Sequence, residues 1–101
     1  MINKPREIAL KTIYKINQEQ AYSNLALDEE LKQNRKILNE KDIGLISEIT
    51  YGVTTWKLTL DTIIKKHSKI KLKKISPWII NILRMGIYQI IFLDKIPKSA
   101  A

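Results

Sequence analysis

The stretch Ser76–Leu93, SPWIINILRMGIYQIIFL, is apolar on nearly every side once wound as a helix. Ser76 supplies a helix cap, and Pro77 follows at the first helical position, where its missing N–H costs nothing. At about 100° per residue, Ile79, Ile82, Leu83, Gly86, Ile90 and Leu93 share one face. Ile80, Ile87 and Ile91 extend a second face, and Trp78, Met85 and Phe92 a third. A helix of this kind belongs in the middle of a bundle. Its one polar strip is Asn81, Arg84 and Tyr88. Arg84 there either pairs with a carboxylate at the core edge or faces a ligand phosphate.

The rest of the chain reads as helices that could surround it. A first helix spans about Pro5 to Asn17, with Ala9, Ile13 and Ile16 on one side and Lys4, Lys11 and Lys15 on the other. A second starts at Ser23 or Asn24 and turns Leu27 and Leu31 inward. Its Asp28, Glu29 and Glu30 are expected in the first turns, where carboxylates complement the helix dipole. Asn39 opens a third helix, with Asp42 three residues on as an approximate capping box. Leu45, Ile49, Val53 and Trp56 form its expected inner line, with Ile46 beside them. Gly44 and Gly52 interrupt it, each costing about 1 kcal/mol against alanine in a free helix, so close helix contact is expected at both. A fourth helix, about Thr59 to Lys66, buries Leu60, Ile63 and Ile64, and His67–Ile75 forms a connector.

That connector changes the electrostatics. From Thr62 to Leu93 the chain carries seven positive charges and no negative one, out of a net charge of +8. Six of them are lysines packed between Lys65 and Lys74. A basic loop mounted on a buried helix is a credible polyanion site, nucleic acid above all, although a lysine-rich surface loop can also be merely solvated. The 101 residues fit one domain, and the 45% hydrophobic composition fits a packed core. With no cysteine, the chain has no disulfide scaffold, thiolate zinc site or cysteine nucleophile. The lone His67 reads as an exposed loop residue, and no metal-ligand set is expected. No apolar run reaches the ~20 residues that span a bilayer, so a cytoplasmic protein without a membrane partner is expected. No glycine-rich phosphate loop and no nucleophile–base pair occurs, and nothing in the residues argues for catalysis.

Four segments carry a family resemblance: PREIALKTIYKI (Pro5–Ile16), AYSNLALDEEL (Ala21–Leu31), EITYGVTTWKLTLDTII (Glu48–Ile64) and SPWIINILRMGIYQIIFLDKIP (Ser76–Pro97). Together they resemble, in order and end to end, the N-terminal NusB-like domain of the Sun/RsmB family of small-subunit rRNA cytosine-C5 methyltransferases. The Pro-Arg-Glu start and the Leu-Arg-x-Gly-x-Tyr-Gln helix are also similar to free-standing NusB, the transcription antitermination factor. AYSNLAL and KLTLD favour the methyltransferase branch.

The resemblance implies an all-α NusB-like bundle of about five helices over residues 1–101, lacking the last family helices. It implies an RNA-binding accessory domain, with rRNA as partner and a catalytic domain in cis that binds S-adenosylmethionine. The chain itself is expected to be no enzyme and to need no cofactor. An antitermination or protein-interaction module is the alternative. The expected RNA-binding residues are Lys4, Arg6, Lys11, Lys15, Lys69, Lys71, Lys73, Lys74 and Arg84, with Arg6 singled out by the resemblance. No aromatic residue interleaves the loop lysines, so phosphate contact without base stacking is expected there. The apolar last helix leads us to expect a homodimer through its surface.

Overall fold

A computed structural model describes residues 4–93. The fold is all-α, with helices α1 (Lys4–Gln18), α2 (Ser23–Gln33), α3 (Glu40–Thr55), α4 (Lys57–His67) and α5 (Pro77–Tyr88). Single tight turns at Arg35–Ile37 and Leu72–Lys74 end the two longer connectors, and a π-helical turn, Gln89–Leu93, extends α5. The end of the Ser76–Pro97 motif lies outside the described residues.

The core forms where α1 packs against α3, α2 and α5. Ile8, Ala9 and Ile13 of α1 meet Leu27 of α2, Ile46, Ile49 and Val53 of α3, Leu60 of α4, and Met85 and Tyr88 of α5. Fully burying one of the large side chains gains roughly 1.5–3 kcal/mol, so this cluster supplies most of the driving force. The expected capping box is present: Asp42 N–H donates to Asn39 Oδ1 at 2.8 Å, and Asn39 N–H donates to Asp42 Oδ2 at 3.2 Å. These two bonds satisfy backbone donors that would otherwise be left over at the start of α3.

Several sequence expectations are corrected by packing. Trp56 is 44% exposed rather than part of the inner line of α3. It sits at the junction where α3 stops and α4 begins, with its ring 5.3 Å from that of Phe92. The close contact expected at both glycines holds at Gly52 alone. There the Tyr88 ring occupies the space a β-carbon would need, whereas Gly44 has open space beside it. The carboxylates of α2 fall beyond its first turn, and Glu30 is buried at 3% exposure. His67 closes α4 rather than opening the connector.

The largest correction concerns α5. Its polar strip, Asn81, Arg84 and Tyr88, faces inward together with Ile80 and Met85. Ile79, Ile82, Leu83 and Ile90 are exposed instead. The polar groups are buried because each finds a partner. Arg84 donates from Nε to Asp61 Oδ1 at 2.7 Å and from Nη2 to Asp61 Oδ2 at 3.1 Å. Its Nη1 donates to Asn81 Oδ1 at 2.8 Å, an oxygen that also accepts from Asn17 Nδ2 at 3.0 Å. Asn81 Nδ2 in turn donates to Pro77 O and Gln18 Oε1. A bidentate carboxylate and an amide network offset the desolvation that an unpaired guanidinium would suffer.

Candidate nucleic-acid interface

The basic connector is built by two local devices. Ser68 Oγ accepts from Ile70 N–H and donates to Ile70 O, closing a small turn just after α4. Lys74 N–H then donates to Lys71 O, and Ile75 N–H to Leu72 O, which tightens the chain before α5. These bonds hold Lys69, Lys71, Lys73 and Lys74 exposed on a short curved segment. Lys65, Lys69, Lys71 and Lys73 line an open depression of ≈ 450 Å³ together with Ser68, Ile70 and Leu72. Among the described residues none of these lysines has an ion-pair partner.

On α1 the expected stripe divides. Lys4 and Lys11 are exposed. Lys15 is bound by two carboxylates of α2, Glu29 at 2.8 Å and Glu30 at 2.6 Å. Its hydrogen bonds to those two groups raise the Lys15 pKa above the usual lysine range, and the bond from Lys15 holds the Glu29 carboxyl below its ordinary value. Lys15 thus fastens α2 to α1 and leaves the candidate set. Arg84 leaves it too, being 7% exposed and held by Asp61. Arg6 is half-buried and donates from Nε to Gln89 Oε1, tying the start of α1 to the turn after α5.

The fold adds a residue that sequence reasoning missed. Trp78, at the second position of α5, stacks on Tyr14 of α1 with ring centroids 3.8 Å apart and planes within 11°. Trp78 also lines a cavity of ≈ 220 Å³ with Lys4, Glu7, Lys11 and Asn34, above Ile8 and Leu10. No local signal reveals this pairing. Only the run of Lys4, Glu7, Lys11 and Tyr14 at helical spacing marks a shared face of α1.

Among the described residues no helix is long and apolar enough to cross a membrane, and no group of three or more His, Cys, Asp or Glu is placed to hold a metal ion. What remains is a small all-α bundle with exposed cations on one connector and along the first half of α1. The chain belongs to the NusB family, whose model matches residues 3–101. It is 42% identical over 96 residues to a probable ribosomal RNA small subunit methyltransferase B of Bacillus subtilis, covering 95% of this chain and 21% of that protein. It is 31% identical over 96 residues to the probable methyltransferase B of a Synechocystis species, again over 95% of this chain and 21% of the relative. The transcription antitermination protein NusB of Acetivibrio thermocellus is 35% identical over 97 residues, covering 95% of this chain and 66% of that protein. The chain therefore spans about a fifth of the length of the methyltransferases it matches. No solved structure matches it.

Proposed function

We propose that this chain is the RNA-engaging domain of a small-subunit rRNA methyltransferase, presenting rRNA to a catalytic domain in cis. The observation that carries the reading is the connector, where four lysines stand exposed with no carboxylate partner among the described residues while Lys15 and Arg84 are bound. Their chemistry suits phosphate oxygens. The 42% identity to one methyltransferase relative supports that branch, while a second lies at 31% and an antitermination protein at 35%. Methyl transfer and S-adenosylmethionine belong to the catalytic domain in this reading. The present residues include no cysteine and no glycine-rich loop, so none is assigned a step in it.

The test is RNA binding across a salt series. Replacing Lys69, Lys71, Lys73 and Lys74 by glutamine should weaken binding to an rRNA fragment and flatten the log–log salt slope by about three units, at roughly 0.7 per single-strand phosphate. An unchanged slope would place the site elsewhere.

A second reading, self-association, is favoured by the outward face of α5. Ile79, Ile82, Leu83 and Ile90 lie there without an intervening charge, so a two-fold contact would bring no like charges together. Four partly exposed aliphatic side chains are far fewer than the roughly 20–30 residues a side of a stable interface. A weak homodimer follows, and sedimentation equilibrium should show it dissociating in Leu83→Glu. A monomer at every concentration would end this reading.

A further inference from the structure

We propose that Trp78 is a stacking platform for one unpaired RNA base, set between two groups of lysines that hold the flanking phosphates. The proposal deepens the RNA reading above and rests on it.

Trp78 is 42% exposed, a large apolar area to leave beside solvent at the start of a helix. One face of its ring is taken by Tyr14, which fixes the indole orientation and leaves the remainder of the ring available. A rigid, pre-oriented aromatic surface loses little entropy when a base settles on it. The cavity beside it is small, and its floor, Ile8 and Leu10, is apolar, which suits a planar heterocycle better than a hydrated phosphate.

The surrounding charges fit a nucleotide chain. Lys73 and Lys74 precede Trp78 closely in sequence, and Lys73 lines a second small cavity with Gln18, Pro77 and the Arg84–Asp61 ion pair, whose charges cancel and leave Lys73 as its free cation among the described residues. Lys4 and Lys11 rim the Trp78 cavity itself. Lys4 and Gln18 are the two ends of α1, about 20 Å apart at 1.5 Å per residue, with Tyr14 and its stacked Trp78 between them. A single strand spanning the two basic groups would therefore pass the indole. A duplex would not use it, since its bases are already stacked on one another.

Acceptors in the cavity point to the class of base. Glu7 contributes a carboxylate, and Asn34, whose Nδ2 donates to Glu30 O at 2.8 Å, keeps its Oδ1 as an acceptor. Both are suited to an exocyclic amino group, which cytosine, adenine and guanine carry and uracil lacks. Glu7 also repels phosphate, directing the backbone to the lysine rim and the base inward.

The experiment uses the whole chain with Trp56→Phe, leaving Trp78 as the only indole. Its emission is followed during titration with a single-stranded RNA of about eight nucleotides, within the length one small module binds. An abasic strand with the same number of phosphates and a duplex of the same sequence are titrated in parallel. The single strand should quench Trp78, and the abasic strand and duplex should not. Trp78→Ala should weaken single-strand binding about 5- to 150-fold, the range for loss of one base–aromatic stack, with the salt slope unchanged. Trp78→Phe should retain most of the affinity, and oligocytidine should bind more tightly than oligouridine. Lys4→Gln with Lys11→Gln should lower the slope by about 1.4, at 0.7 per phosphate. Circular dichroism checks each variant, and if Trp78→Ala fails to fold, the quenching comparison in Trp56→Phe decides alone. Equal quenching by the abasic strand, or Trp78→Ala binding as tightly as the parent, overturns the stacking site and leaves RNA binding standing. No binding by the parent at low salt overturns both.

Discussion

Along α5, the side that turns into the bundle carries Asn81, Arg84 and Tyr88, whereas the side that turns to solvent carries Ile79, Ile82, Leu83 and Ile90. By hydropathy alone the helix would be rotated the other way. The inward groups are buried because partners are waiting: Asp61 for the guanidinium, Asn17 and Gln18 for the amide, and the notch at Gly52 for the phenol ring. Hydrophobic burial is non-directional, so aliphatic side chains accept many orientations of a helix. A bidentate ion pair accepts one. Leaving an arginine buried without its carboxylate would cost more than half-exposing a few isoleucines, and the fold follows the larger penalty.

The sharpest way to break this comparison is to remove the partner. Asp61→Ala leaves Arg84 buried and unpaired and should destabilise the domain by about 3–5 kcal/mol in urea or thermal unfolding. Ile82→Gln on the outward face should stay within about 0.5 kcal/mol, as surface substitutions usually do. Equal costs at the two sites would mean that the inward network does not set the register. Should Asp61→Ala leave too little folded protein to measure, Asp61→Asn, which keeps the shape and one acceptor, should fall between the two.

The glycines give the same contrast at smaller scale. Gly52→Ala would drive a methyl group into the buried Tyr88 ring, an overpacking cost of about 1–3 kcal/mol that outweighs the ~1 kcal/mol gained in helix propensity. A net loss of about 1 kcal/mol is expected. Gly86→Ala meets open space and should stabilise the folded chain by up to about 1 kcal/mol. A loss at Gly86 matching that at Gly52 would contradict the open outward face.

These contrasts also mark what can be read from the residues directly. The five helices, the Asn39–Asp42 capping box and the Pro77 start of α5 are encoded within a few residues, so they are legible locally, although Ser76 at the cap position makes no side-chain cap bond. The rotation of α5 depends on Asp61, Asn17, Gln18 and Gly52, which arrive from three other helices, and no periodicity within Ser76–Leu93 contains them. The candidate site divides the same way. A run of lysines is visible as a run, and the structure leaves it exposed. Lys15 looked like another surface cation until α2 brought Glu29 and Glu30 against it. Trp78 looked like core until the rotation of α5 placed it on Tyr14 at the edge of the basic groups.

The smallest expected effect tests the inward face by pH. Burial, and to a lesser degree the charge of Glu48, pushes the Tyr88 hydroxyl above the ordinary tyrosine value. The neutral phenol is thus favoured in the folded state over the unfolded one. That contribution is fully present below about pH 10, where Tyr88 is neutral in both states, and is lost as pH rises through the folded value, because the unfolded chain ionises first. Tyr88→Phe removes the titrating group but keeps a ring beside Phe92, whose centroid lies 4.9 Å from that of Tyr88. At neutral pH the variant should unfold within about 1 kcal/mol of the parent, the size of an ordinary single-group change. Above pH 10 the parent should lose stability more steeply than Tyr88→Phe, so the two curves converge or cross. Parallel curves from pH 7 to 11 would show that the phenol is not buried against Gly52, and the register of α5 would have to be redrawn.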